Sequence, residues 1–298
     1  MIVLVIVMLA ACIAIPVACA WRVARLDEPS RTSWLLAVAE SAALVALVVI
    51  IGRWDMAGRY TRFALLAMVL AAALWSLRRH VARPWGSLRS LPGRRPATLL
   101  SLVLLGGALG YALSGLLPPE RPRALAFPLA GGRFMVAQGG GIALLNRHAS
   151  HREQRHAADI TAVGALGFRA TGLLPADLDR YAIFGAAVVS PCDGRIAAAR
   201  DGLPDLAPPE RDREHPSGNH VVIDCGGFEV ELAHLQQGSL RVAAGARVAA
   251  GAAIGKVGNS GNTTEPHLHV HAVDPQRRLG LPITFDGRAP VRNRVFER

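Results

Sequence analysis

Residues Glu265–Val273 read EPHLHVHAV. Three of the chain's ten histidines fall here within five residues, at every second position. Side chains of an extended strand alternate between its faces. The spacing therefore predicts a strand with His267, His269 and His271 on one face and Leu268, Val270 and Ala272 on the other. An apolar back and an imidazole front fit two arrangements: a strand packed on a core that offers a metal site, and a polar strand facing solvent.

The neighbouring segments share this character. AAVVSP, HVVIDC, FEVELAHL and AAIGKVG are short apolar runs bounded by Gly, Asp and Pro clusters. Their spacing predicts antiparallel strands rather than alternating βαβ units. Arg241–Gly258, RVAAGARVAAGAAIGKVG, has glycines at 245, 251, 255 and 258 that suit tight turns between short strands. Taken alone it resembles a lipoyl or biotinyl carrier half-barrel. Such carriers display a lysine at a hairpin tip, whereas the chain's single lysine, Lys256, lies inside AIGKVG. Upstream, Leu116–Pro128 (LLPPERPRALAFP) is punctuated by Pro and Arg and reads as a linker.

The first 118 residues are different. Met1–Ala20, Ser33–Gly52, Phe63–Leu77 and Ala97–Leu117 are long apolar runs, and a membrane span needs roughly 20 such residues. Arg22 and Arg25 follow the first run rather than precede it, which predicts a retained anchor and not a cleaved signal peptide. The loop at 78–96 holds six arginines, Arg78, Arg79, Arg83, Arg89, Arg94 and Arg95, against three in each of the other two loops. Positive loops stay in the cytoplasm. Four spans then place the N-terminus and everything after residue 118 outside it. Residues 1–120 carry twelve Arg against Asp27, Glu28, Glu40, Asp55 and Glu120, which is +7 of the net +11. That distribution is no nucleic-acid footprint, and the basic loops are expected to meet the anionic headgroups of a lipid bilayer. Glu40 sits mid-span and is expected to face other helices. No CxxC pair exists, so a cysteine zinc knuckle is excluded. Cys192 and Cys225 are open to two readings, one disulfide or two buried thiols.

At Gly218–Val273 these features converge: a G-N-x-V-x-I strand, an A-H-L element, the V-x-x-G-x-x-V-x-x-G-x-x-I-G segment, a G-N-S-G turn and H-L-H. In this order they resemble the core of the lysostaphin-type (LytM-like) zinc metallopeptidases. The resemblance extends through GAAVVSPCDGRI and GLPITFDG, covering about residues 130–290 and none of the membrane half. It implies one Zn2+ per chain, held by a His, an Asp and the second His of H-x-H, with one position left open for water. The last ligand is His269. The Asp is matched by Asp159 in QRHAADI, upstream of the VVSPCDG strand. The first His departs from the usual H-x-G-x-D spacing. GGGIALLNRH followed by EQRHAAD is similar to a subgroup pattern that selects His148, after Asn146, with His151 and His156 as the other candidates. His234 and His267 match the family's non-ligand active-site pair, one imidazole accepting a proton from water and the other stabilising the oxyanion. The motif stops at His269, so His271 is expected as a plain surface histidine, a place behind the ligands or at the rim being the other reading. His220 is expected to be structural.

The expected organisation is thus an all-α membrane region of about four transmembrane helices (1–118), a linker (119–130) and an all-β antiparallel-sheet metallopeptidase domain (131–298). The expected function is a membrane-anchored zinc metalloendopeptidase that uses zinc-activated water on peptidoglycan cross-links or stem peptides. It would be a multi-pass inner-membrane protein with the enzyme on the periplasmic side, and a regulatory membrane partner stays open. The alternative is an inactive relative that binds cell wall or activates another hydrolase. A transporter or sensor with an appended enzyme is disfavoured, since apart from Glu40 the spans lack pathway-lining polar residues.

Overall fold

The computed structural model describes residues 2–86 and 95–298. It divides into two compact units, Met1–Ser114 and Gly115–Arg298. Arg89 and Arg94 of the basic third loop lie outside the described residues.

The first unit holds α1 (Ile2–Ala24), α2 (Arg31–Ile51), the single turn α3 (Trp54–Ala57), α4 (Thr61–His80) and α5 (Arg95–Ser114). The four long helices are long and apolar enough to cross a membrane. Phe63–Leu77 by itself falls short of the roughly 20 residues of a span, and α4 extends it at both ends to 20 residues. Helix α2 starts on a capping box, in which the Ser30 side chain accepts from the Ser33 N–H. Leu70, Val103 and Leu104 are more than half exposed, a surface that suits lipid and not water. Glu40 is paired as expected: Arg22 of α1 forms a salt bridge with it and donates to the Ser41 hydroxyl. The first and third loops meet, because Arg83 pairs with Asp27 and Arg31 donates to the Arg83 carbonyl. Alternating spans require that these two loops share a side.

The second unit is built on strands: β1 (Arg123–Leu125), β2 (Arg133–Gln138), β3 (Ala158–Ala162), β4 (Ala187–Val189), β5 (Gly194–Arg200), β6 (Asn219–Asp224) and β7 (Glu229–Leu235), followed by β8 (Arg247–Val248), β9 (Ala253–Lys256), β10 (Leu268–Asp274), β11 (Leu279–Leu281), β12 (Ile283–Phe285) and β13 (Val295–Glu297). A nine-stranded sheet runs β13-β2-β3-β10-β7-β6-β5-β8, with β11 also paired to β10, and every pairing in it is antiparallel. Two-stranded pieces, β4-β9 and the parallel β1-β12, complete the unit. The alternation in EPHLHVHAV is realised in β10, whose Leu268, Val270 and Ala272 enter one core with Ile160, Val230 and Leu232.

One expectation is revised here, and one open reading is decided. Residues 119–130 are no free linker: β1 lies within them, and Leu125, Phe127 and Leu129 are buried in the core. The Phe127 ring stacks on Phe296, with centroids 4.5 Å apart. The prolines and arginines masked a period of two, which is a strand signal. Cys192 and Cys225 form a disulfide across 33 residues, which decides between the two readings.

Candidate metal centre

Strand β10 is central, with β3 on one side and β7 on the other. In register, His269 lies directly opposite both Asp159 and Ala233. Residues directly opposite each other share a face, so a carboxylate and an imidazole meet from segments 110 residues apart. His269 Nδ1 is 2.9 Å from Asp159 Oδ1. Ala233 contributes only a methyl group on this face and leaves room in front of the pair.

His148 arrives from a 3₁₀ turn, Arg147–Ser150. Asn146 caps that turn: its Oδ1 accepts from the His148 N–H at 3.0 Å. The Asn146 amide donates to the carbonyls of Ala157, Gly140 and Arg155 at 3.0, 3.3 and 3.4 Å. Fully buried, Asn146 ties the turn to the start of β3. His148 Nε2 then lies 3.1 Å from each Asp159 oxygen. One donor atom from each of His148, Asp159 and His269 falls within 4.8 Å of the others. His151 instead closes the turn through its backbone N–H and lines the adjacent cleft, while His156 is half-buried outside the trio.

The other pair approaches from the far side. His267 Nδ1–H donates to the Glu265 carbonyl at 2.9 Å, with Thr263 Oγ1 at 3.1 Å. Its Nε2 is 3.6 Å from Asp159 Oδ1 and, among the described residues, is buried with no hydrogen-bond partner. His234 Nδ1–H donates to the Ser260 carbonyl at 2.9 Å, so its Nε2 carries a lone pair. The His234 and His267 ring centroids are 4.8 Å apart. Strict alternation would put His234 with Leu232 in the core. A β-bulge prevents this: the β6–β7 register shifts between Asn219 and Val221, and His234 takes φ +64°. Bulges re-aim side chains in this way next to functional sites. The wall beside His234 is backbone on backbone. Gly261 has φ +86°, and a Cβ there would lie 2.4 Å from the Gly218 nitrogen.

Burial favours neutral imidazoles. It pushes His234 well below the ordinary histidine range, and the rings of His267 and His269 push it further. Burial also lowers His267, against the pull of Asp159. Burial alone would raise Asp159, but the imidazoles of His267 and His148 and the hydrogen bonds from His148 and His269 hold it well below the carboxylate range. In front lies a cleft of about 400 Å³ lined by Arg147, His148, His151, Arg211, Glu231, His234 and His269 among others. One edge is the 201–218 segment, tied down where Asn259 N–H donates to Asp205 and Asn259 Nδ2 to the Leu206 carbonyl, both at 2.6 Å.

Residues 178–279 match the profile of peptidase family M23. The C-terminal unit carries an M23 peptidase domain. The match contains His234, His267 and His269, while His148 and Asp159 of the M23 domain lie upstream of it and join them only through the β3–β10 pairing. Among solved structures, a zinc-containing peptidase from Vibrio cholerae is 20% identical with a TM-score of 0.34, covering 54% of this chain and 39% of that one. Lysostaphin in solution is 21% identical at 0.26, covering 40% and 36%. The catalytic domain of the antimicrobial peptidase lysostaphin from Staphylococcus simulans is 19% identical at 0.23, covering 42% and 84%. The chain thus spans well under half of the first and second of these proteins, and at such scores the likeness carries no argument about activity. No curated protein matches the chain significantly.

One residue departs from its expected place. His271 is no surface histidine: it is 5% exposed, and its Nδ1 is 3.1 Å from His269 Nε2. Glu231, which the motif never singled out, stands directly opposite it on β7. Only the period-two pattern, carried two residues past the motif, pointed to this position.

Proposed function

We propose that this protein is a membrane-anchored zinc metalloendopeptidase that cleaves peptide bonds in peptidoglycan cross-links or stem peptides. The observation that carries the reading is the His148–Asp159–His269 trio, with Asp159 and His269 buried and His148 half-buried, and the unpartnered Nε2 of His267 aimed at the same carboxylate. One carboxylate and two imidazoles are a donor set suited to a catalytic zinc, with a position left open. His148, Asp159 and His269 would hold the ion. Zinc, when bound, supplies Lewis acidity and brings the pKa of water to about 7.

His234 and His267 do the proton work. Each gives its Nδ1–H to a backbone carbonyl, which leaves Nε2 as a neutral base, at the cleft for His234 and beside Asp159 for His267. One accepts the proton of the attacking water and returns it to the leaving amine. The other, when it carries a proton taken from solvent, donates to the oxyanion. The disulfide supports an oxidising compartment for this unit. The arginines of the first and third loops support a cytoplasmic side for those loops, hence an inner-membrane protein with a periplasmic enzyme.

The test uses the full chain in detergent. Wild type is expected to hold about one zinc and to release peptides from purified sacculi. His269→Ala should lose both, whereas His234→Ala should keep the metal and lose hydrolysis. A zinc-loaded wild type that releases nothing would favour the wall-binding, inactive module, and full activity in His234→Ala would refute the assignment of the pair.

A further inference from the structure

Alongside the trio, on the same face of the sheet, lies a second pair that the hydrolytic chemistry does not use. His271 and Glu231 stand opposite each other on β10 and β7, and the Glu231 carboxylate accepts from the Ser217 hydroxyl at 2.7 Å. The His269 and His271 rings meet edge to face, with centroids 5.2 Å apart. Two imidazole nitrogens 3.1 Å apart need one hydrogen between them, so the two rings cannot choose their tautomers independently.

We propose that His271 is a positioning residue for the metal centre: it accepts a hydrogen bond from His269 Nε2 and so fixes the tautomer in which the His269 Nδ1 lone pair faces Asp159 and His148. The inference rests on the trio being a metal site. A ligating nitrogen must carry a lone pair, and Nδ1 is the His269 nitrogen beside Asp159. In the metal-free chain His269 Nδ1–H donates to Asp159, but with an ion held at Nδ1 the ring proton belongs on Nε2, and His271 Nδ1 is the acceptor that faces it. This leaves the His271 proton on its own Nε2, with the negative charge of Glu231 beside the ring to favour it there. Metal-bound histidines commonly pass their second N–H to a carboxylate or carbonyl, and loss of such a partner costs metal affinity. Here another imidazole takes that part. The three alternating histidines thus divide the work: His267 beside the metal, His269 on it and His271 next to His269.

The experiment measures zinc affinity of the full chain in detergent by competition with a chromogenic chelator. His271→Leu should weaken zinc binding about 10- to 100-fold. His271→Asn, whose Oδ1 can accept from His269 Nε2, should bind close to wild type, and thermal melts of the chelated variants report whether they fold. A purely packing role predicts that Asn fares no better than Leu. In zinc-loaded, 15N-labelled wild type, long-range proton–nitrogen NMR should place the His269 proton on Nε2, a readout that needs no variant. Unchanged zinc affinity in His271→Leu, an Asn variant as weak as Leu, or the proton on His269 Nδ1 would each overturn the inference and leave the hydrolase reading standing. A wild type that binds no zinc would overturn both.

Discussion

Asn146→Ala isolates the device that presents His148. The substitution removes the Oδ1 acceptor that caps the 3₁₀ turn and the donor shared by the carbonyls of Ala157, Gly140 and Arg155. Loss of such a cap costs about 1 kcal/mol. The Ala157 carbonyl, at 3.0 Å the best-bonded of the three, loses a partner in a buried position, which adds roughly 1–3 kcal/mol. The longer bonds to Gly140 and Arg155 add less. The chelated protein should therefore lose roughly 2–4 kcal/mol of stability. If ion binding must reorder the turn, about 1 kcal/mol of that loss returns as weaker binding, a factor of about five in zinc Kd. Asn146→Asp keeps the acceptor but faces a charge toward three carbonyl oxygens, and should be no better than alanine. The assays are thermal melts of the chelated chain and chelator competition for zinc. A destabilised Asn146→Ala that binds zinc with wild-type affinity would show that His148 needs no cap, and would refute this account of how the first ligand is placed.

Acid should destabilise the chelated protein. Burial pushes His271 down to about 4, and His234 and His267 are also lowered, so between pH 6.5 and 4 the unfolded chain binds more protons than the folded one. Stability then falls as pH drops through that window, by roughly 2–3 kcal/mol at pH 4.5 from His271 alone, while the depressed Asp159 adds its own loss below about pH 4, where the unfolded carboxyl begins to take up a proton. A melting temperature unchanged between pH 7 and 4.5 would contradict this. Replacing Cys192 and Cys225 together by serine should cost about 3–4 kcal/mol for a 33-residue loop, read as a fall in the melting temperature of the double variant against the oxidised chain. Gly261→Ala puts a Cβ against the Gly218 nitrogen at φ +86° and should displace the Ser260 carbonyl that orients His234. Hydrolysis should fall more than zinc content, and equal losses of both would point to general unfolding instead.

The elements readable from the chain alone were those set by local periodicity. Alternation in EPHLHVHAV fixes which histidines share a face, because a strand's period is two whatever it packs against. Apolar run length likewise marks four helices able to span a membrane. Motif order brought forward His234, His267 and His269 as candidates, and the Asn-x-His spacing brought forward His148. Tertiary structure decided the rest, since partners distant in sequence leave no local trace. His148 was separated from His151 and His156 by carbonyls at Gly140, Arg155 and Ala157 that orient Asn146. The trio closes only because β3 lies beside β10 in a register that sets Asp159 opposite His269. Residues 119–130 looked like a linker because proline and arginine dominate the local composition, yet Leu125, Phe127 and Leu129 find their core only when β12 and β13 are present. His271 looked like a spare surface residue, and what buries it comes from the His269 ring and the neighbouring strand β7.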